Sequence, residues 1–330
     1  LKILITGGAG FIGSYLAEAY LNRNDEVYVI DDLSTGSLDN IRRFTGNPLF
    51  HFMEGTILDR EAMMELTGIC DVVAHLAAAV GVKLIIDEPL KSIHTNIVGT
   101  EIALEFADKF RKKIFLASTS EVYGRNSRVP LSEDDIRVYG PTNIARWSYA
   151  AGKAMDEFMA LAYYRTRQLP VIIGRFFNTV GPGQTGRYGM VIPRFVGQAL
   201  RNEPITVYGS GTQTRNFTYV EDVVRGIVGL IDEPRSVGEI FNIGGKGEIS
   251  MNDLALRIKT IAGSTSPIRH IPYDEAYQEG FEDMERRVPD ITKIENLIGY
   301  RNHYDLEQIL TRVIEFERRK LSAENQAVAT

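Results

Sequence analysis

Thr6-Gly7-Gly8-Ala9-Gly10-Phe11-Ile12-Gly13 is flanked by two stretches of opposite character. Lys2 to Thr6 before it is a short β-rich apolar run, and the residues after it carry apolar side chains at helical spacing. Between a strand and a helix, glycines let the backbone approach a pyrophosphate with no Cβ in the way. The helix N-terminus adds unpaired N–H groups and the positive end of its dipole. The next apolar run, Val27 to Ile30, is followed by Asp31, 18 residues beyond Gly13. A carboxylate there can accept hydrogen bonds from both hydroxyls of an adenosine ribose and repels a 2′-phosphate, so the pattern predicts NAD rather than NADP. Asp32 can share that role, though adjacent acids are also common in solvated turns.

Outward from this loop the first half of the chain repeats one texture. Phe50 to Met53, Asp71 to Leu76, Ile114 to Ala117 and Pro170 to Gly174 are further strand candidates, separated by segments of helical length. The runs are apolar throughout rather than alternating, as burial on both faces requires. The expected fold is α/β, a Rossmann-type doubly wound parallel sheet, with a smaller mixed C-terminal substrate domain. After Arg175 a Gly- and Pro-bearing loop, Asn178 to Gly189, precedes a helix at Val191 to Asn202 and a strand at Ile205 to Tyr208. Phe217 to Ile231 reads as strand then helix, and Glu239 to Ile243 as a strand able to rejoin the main sheet. The domains are therefore drawn as 1–175 plus about 216–245 for the dinucleotide, and about 176–215 plus 246–330 for the substrate. Ser322 to Thr330 reads as a fraying polar tail.

Composition excludes several classes. At 330 residues, 44% hydrophobic and 24% charged, the chain is long enough for about two globular domains. A net charge of −6 with no long basic run argues against nucleic acid. The longest apolar stretch, Ile69 to Val82, is broken by Asp71 and His75 and is too short for a bilayer span. The strand starting at Lys2 leaves no room for a leader in this sequence. One cysteine, Cys70, cannot form an internal disulfide, and the five histidines share no ligand-like spacing with it. The expectation is a reduced cytoplasmic protein with no structural metal.

Tyr149 and Lys153 form the only Tyr-x-x-x-Lys in the chain and lie in a helical stretch, so they project from one face. A phenol titrates near ~10 in water and needs a cation beside it to act as a base near neutrality, here the ammonium and an oxidised nicotinamide. The alternative from spacing alone is a packed tyrosine and a solvated lysine.

With Ser118-Thr119-Ser120-Glu121-Val122-Tyr123-Gly124 upstream, these residues resemble the extended short-chain dehydrogenase/reductase family that modifies nucleotide-activated sugars. His75-Leu76-Ala77-Ala78, Asn96, Arg175-Phe176-Phe177-Asn178-Thr179-Val180-Gly181-Pro182, Arg215-Asn216-Phe217-Thr218-Tyr219-Val220 with Asp222, and Asn242-Ile243-Gly244 continue the likeness over nearly the whole chain. The resemblance implies that Gly7, Gly10, Phe11, Ile12, Gly13, Asp31, Asp32, Ala77 and Lys153 hold NAD, with Asp59 facing the adenine. It implies Thr119, Tyr149 and Lys153 at the reacting sugar. Ser120, Glu121, Asn178, Arg187, Tyr208, Arg215 and Arg287 would contact a UDP-sugar, Asn178 and Arg215 at its phosphates and Tyr208 at the uracil. It also implies a homodimer paired through the Tyr149 helix and the long helix before it.

The family's shared first step oxidises C4 of the sugar, and the 4-keto sugar then re-forms as its epimer, loses a C5 carboxylate as carbon dioxide, or eliminates water. Family dehydratases usually read Thr-Asp-Glu where this chain has Thr119-Ser120-Glu121, so dehydration ranks low. Thr-Ser-Glu, Arg146-Trp147 and Arg287-Val288-Pro289-Asp290 resemble UDP-glucuronate decarboxylases. The loop Gly181 to Met190 resembles UDP-glucuronate 4-epimerases, with Arg187 placed to hold a uronate carboxylate in the ring plane and suppress carbon dioxide loss. The leading expectation is therefore an isomerase, an NAD-dependent UDP-sugar 4-epimerase acting on UDP-glucuronate or a UDP-hexose. The decarboxylase is the alternative, and a non-catalytic NAD-binding scaffold ranks last.

Overall fold

Strand β1 (Lys2–Thr6) buries its last four residues, with Ile3 and Ile5 entering one hydrophobic cluster and Leu4 the other. Successive side chains of a strand point to opposite faces, so an unbroken apolar run needs both faces covered. The computed structural model describes residues 1–81, 87–186, 190–276 and 284–329. Around β1 it assembles β2 (Glu26–Asp31), β3 (Phe50–Glu54), β4 (Val72–His75), β5 (Lys113–Thr119), β6 (Val171–Phe176) and β7 (Ile240–Ile243). All pairings are parallel, in the order β7-β6-β5-β4-β1-β2-β3. The Glu239 to Ile243 run thus joins the main sheet against β6.

The chain winds away from β1 in both directions, toward β2 on one side and β4 on the other. Ligand crevices form at such a reversal, outside the carboxyl ends of the strands. The glycine loop leaves β1 at that point. Thr119, closing β5, and Phe176, closing β6, lie at the same end.

Smaller pairings build the rest. Thr179–Val180 runs parallel to Thr218–Tyr219, Ile205–Tyr208 runs parallel to Ile268–Ile271, and Thr214–Arg215 runs antiparallel to Ile249–Ser250. Leu131 bridges to Pro289: its N–H donates to Val288 O at 2.8 Å and its carbonyl accepts from Asp290 N–H at 2.8 Å. That bridge fixes the segment carrying Arg287. The tail expected to fray is instead the end of the helix Leu306–Ala329, because its alanines, glutamate and glutamine are good helix formers.

Candidate active site

The glycine loop is closed by its own backbone. Gly7 N–H donates to Ile30 O at 2.8 Å, and Gly10 N–H donates to Gly7 O at 3.1 Å. Gly7 has φ +72°, and a Cβ on it would stand 2.8 Å from Ala77 Cα, so Ala77 lies directly against the loop. A Cβ on Gly13 would overlap Gly7 O and stand 2.7 Å from Gly8 Cα. Phe11 and Ile12 open the helix Phe11–Leu21, whose N-cap is Gly10; no side chain caps it and its first turn holds no acid. These features form a cradle for an anion.

Asp31 is buried at the end of β2, where its carboxylate accepts from Ala9 N–H at 3.0 Å and Leu33 N–H at 2.8 Å. Burial raises its pKa, against the pull of those backbone donors. Asp32 points elsewhere: its carboxylate is taken by the Ser34 N–H and hydroxyl in a surface turn. Asp59 caps the helix Arg60–Ile69, accepting from Glu61 and Ala62 N–H groups. His75, fully buried, is held between the Thr6 and Thr100 hydroxyls at 2.9 and 3.2 Å. Burial, with Lys153 adding to it, pushes its imidazole down to about 3, so it stays neutral and carries no proton in catalysis.

Tyr149 and Lys153 lie on the helix Arg146–Arg167, and both are buried. Burial raises the phenol's pKa, Glu121 and Asp156 raise it further, and Arg287 opposes them. Lys153 directs its ammonium at Asp156 Oδ2, 2.9 Å away. The lysine therefore has a fixed carboxylate partner that the Tyr-x-x-x-Lys pattern did not announce.

Three distant segments meet beside Tyr149. Thr119 ends β5 and accepts from Glu121 N–H at 3.2 Å, which starts the short turn Ser120–Tyr123 with Ser120 buried. Glu121 Oε1 is 3.3 Å from Arg287 Nη1 and 3.5 Å from Arg146 Nη2. Arg287 Nη2 donates to Asn178 Oδ1 at 2.8 Å. Two guanidinium groups thus converge on one carboxylate, and the planar fork of each is a donor set suited to carboxylate and phosphate oxygens. Arg215 is buried and donates to Thr214 O at 2.7 Å and Glu285 O at 3.3 Å, so it also braces the segment leading to Arg287. The Arg194 guanidinium stacks 3.8 Å from the Tyr208 ring centroid. Arg187 lies outside the described residues.

A buried network supports this group. Arg175 donates from Nε and Nη2 to the two oxygens of Glu157, both at 2.8 Å, and from Nη1 to the Tyr123 hydroxyl at 2.8 Å. Glu157 also accepts from Ser118 and Arg137. Burial alone would raise the Glu157 carboxyl, but these donors bring it below its ordinary value. Tyr123 donates to Asn242, whose amide donates to Leu131 O and Asp290 O. Sequence reading quoted Asn242 within a family motif but gave it no role, and did not single out Asp156 or Glu157; the signal for these two was a pair of carboxylates continuing the Tyr149 and Lys153 helical face.

A family model described as GDP-mannose 4,6 dehydratase matches residues 4–313. The chain belongs to this family. Within the GDP-mannose 4,6-dehydratase family it is similar to a UDP-N-acetyl-alpha-D-glucosaminuronate decarboxylase from Bacillus cytotoxicus, 43% identical over 319 residues covering 96% of this chain and 98% of that protein. UDP-glucuronic acid decarboxylase 1 of Danio rerio is 35% identical over 332 residues, 99% of this chain and 75% of that one. Among solved structures, a UDP-glucuronic acid 4-epimerase from Bacillus cereus in complex with UDP-glucuronic acid and NAD is 31% identical, with a TM-score of 0.87 over 97% of this chain and all of that one.

These relatives overturn the 4-epimerase expectation, and with it the isomerase class. Identity is higher with decarboxylases, while the epimerase shares the architecture. The epimerase reading had rested on the loop Gly181 to Met190, but all these reactions share the chemistry up to the 4-keto sugar. Glu121 and Arg287, which meet beside Tyr149, belong to the Thr-Ser-Glu and Arg-Val-Pro-Asp motifs that resembled decarboxylases.

Proposed function

We propose that this enzyme is an NAD-dependent decarboxylase of a UDP-linked uronic acid. The observation that carries the reading is the convergence of Glu121 and Arg287 beside Tyr149, supported by the 43% identity to a decarboxylase along nearly the full length of both chains. The glycine cradle, the uncapped helix and buried Asp31 fit NAD: Gly7, Gly10, Phe11, Ile12 and Gly13 would receive its pyrophosphate and Asp31 its adenosine ribose. Lys153 and Ala77 would lie along its nicotinamide half and Asp59 would border the adenine end, while Asp32 is held by Ser34 in a surface turn. NAD, when bound, supplies the hydride acceptor that converts the C4 hydroxyl to a ketone.

The side chains do the remaining work. Tyr149 takes the C4 hydroxyl proton, with Thr119 orienting that hydroxyl and Lys153 supplying positive charge. The ketone makes the uronate a β-keto acid, whose C5–C6 bond breaks when it stands perpendicular to the ring carbonyl. Carbon dioxide leaves, the electron pair passes into a C4–C5 enolate, and a proton added at C5 with the hydride returned to C4 would give the pentose and leave the cofactor oxidised again. Arg287 and Arg146 draw the carboxylate into the pocket. Glu121, held between them, keeps a second carboxylate near it and disfavours a tight in-plane grip. Asn178 and Arg215 would meet the diphosphate and Tyr208 the base.

Purified protein is incubated with UDP-glucuronate and with its 2-acetamido counterpart, and products are resolved by NMR. A UDP-linked pentose with released carbon dioxide is expected from one of them. A C4 epimer with all carbons retained would overturn the proposal. Ile93 on the helix Pro89–Lys109, and Met155 and Phe158 on the Tyr149 helix, expose apolar side chains; we infer that these faces pair two copies of the chain.

A further inference from the structure

We infer that Asp156 is a positioning residue that shares the Lys153 ammonium and thereby sets the proton affinity of Tyr149. The inference rests on the reading of Tyr149 as proton acceptor given above. Tyr149, Lys153 and Asp156 are spaced four and three residues apart on the helix Arg146–Arg167, so they form one stripe on its buried face. Asp156 is fully buried and Lys153 nearly so, and they are joined by a single 2.9 Å contact. Asp156 Oδ1 has no hydrogen-bond partner among the described residues.

The neighbouring acid shows what a purely structural carboxylate looks like in this helix. Both Glu157 oxygens are saturated, by Ser118, Arg137 and a bidentate Arg175. Among the described residues the Asp156 carboxylate makes one hydrogen bond, and it is to the lysine of the Tyr-x-x-x-Lys motif. A buried carboxylate left half satisfied is costly, and an apolar residue of similar size would usually serve the packing as well. Its distinctive effect is therefore electrostatic.

An ammonium has three N–H donors. One goes to Asp156, which leaves two for a ribose and for Tyr149, and the aspartate offsets the charge that would otherwise make the phenol acidic. The other groups facing Tyr149 are Glu121, from the turn after β5, and Arg287, from the C-terminal segment. His75 on β4 faces Lys153 and is neutral. The packed helix Pro89–Lys109 buries only uncharged polar groups there, Ser92, Asn96 and Thr100. Asp156 is thus the one negative charge on the lysine side of the phenol among the described residues.

The test is a direct titration of the Tyr149 phenol in the NAD-loaded protein, from the ultraviolet difference between each protein and its Tyr149→Phe counterpart. Asp156→Asn should lower the phenol pKa by about one unit, the scale on which a nearby charge moves a buried group. The acid limb of the kcat profile should move to lower pH by the same amount. Asp156→Glu should return both toward the wild-type values. Asp156→Ser is the second neutral variant should the amide destabilise the helix. An unchanged phenol titration in folded neutral variants would overturn the inference even where Tyr149→Phe abolishes turnover. Turnover surviving Tyr149→Phe would instead defeat the reading of Tyr149, while the titration still reports on Asp156.

Discussion

Gly13→Ala puts a methyl group where the structure has no room for one. The new Cβ would overlap Gly7 O and approach Gly8 Cα to 2.7 Å, and both are backbone atoms. Neither can retreat easily. Gly7 is tied to Ile30 O and abuts Ala77, and a Cβ on Gly8 would already meet both Val29 methyls at 2.6 Å. The loop must therefore move outward by roughly 1 Å, since overpacking of this kind costs about 1–3 kcal/mol of stability. A displacement of ~1 Å in a binding constellation costs on the order of 10²-fold. Gly10→Ala is the graded control, because its Cβ would meet only Gly7 O, at 3.0 Å. Calorimetric titration of NAD into cofactor-free protein should show affinity falling about 10²-fold for Gly13→Ala and much less for Gly10→Ala. Circular dichroism should show the fold retained. Wild-type affinity in Gly13→Ala, or equal losses in both variants, would refute the reasoning.

Arg287→Met should lower kcat/KM for the uronate by roughly 10²–10³-fold, as removal of a charge-stabilising donor does, while leaving NAD affinity intact; a parallel loss of NAD binding would show that the segment had collapsed. The His75 imidazole is pushed far below its ordinary value, so the unfolded chain takes up the proton first. Its contribution to stability is complete above about pH 6.5 and is lost as pH falls toward 3, at about 1.4 kcal/mol per unit. Urea midpoints measured across that range should fall less steeply in His75→Gln, and identical slopes would contradict the assignment. Cys70 is buried and its thiol is pushed up to about 12, so a thiol reagent should label it only on unfolding; rapid labelling of the native protein would refute this. Phe158→Glu should shift the protein from dimer to monomer in sedimentation, since the aromatic is exposed on the face proposed to pair two chains. A sedimentation coefficient unchanged from wild type would remove that face from the interface.

Local chemistry explains what could be read without coordinates. The strand before the glycines, the helix after them and Asp31 closing β2 all lie within 31 residues, so each constrains the next through backbone geometry alone. The Glu239 to Ile243 strand was equally visible, because Ile240, Phe241 and Ile243 form a short apolar segment interrupted only by Asn242. The tail was misread because loose polar composition and helix-favouring composition coincide in Ser322 to Ala329. The reaction was misread because the loop Gly181 to Met190 was weighed above Thr119-Ser120-Glu121, Arg146-Trp147 and Arg287-Val288-Pro289-Asp290, the motifs that resembled decarboxylases.

By itself the sequence determined the doubly wound sheet, through apolar runs alternating with helical segments, and the dinucleotide cradle and the Tyr149 and Lys153 pair, each of these two set by residues within a few turns of one another. The resemblance already grouped Glu121, Asn178 and Arg287 at one substrate; only the tertiary structure decided that Arg287 bonds directly to the other two, and that Lys153 spends a donor on Asp156. Arg287 lies 166 residues from Glu121 and is brought there by the Leu131 bridge and the Asn242 amide. No periodicity encodes such a meeting, because it depends on where the folded sheet leaves the ends of its strands.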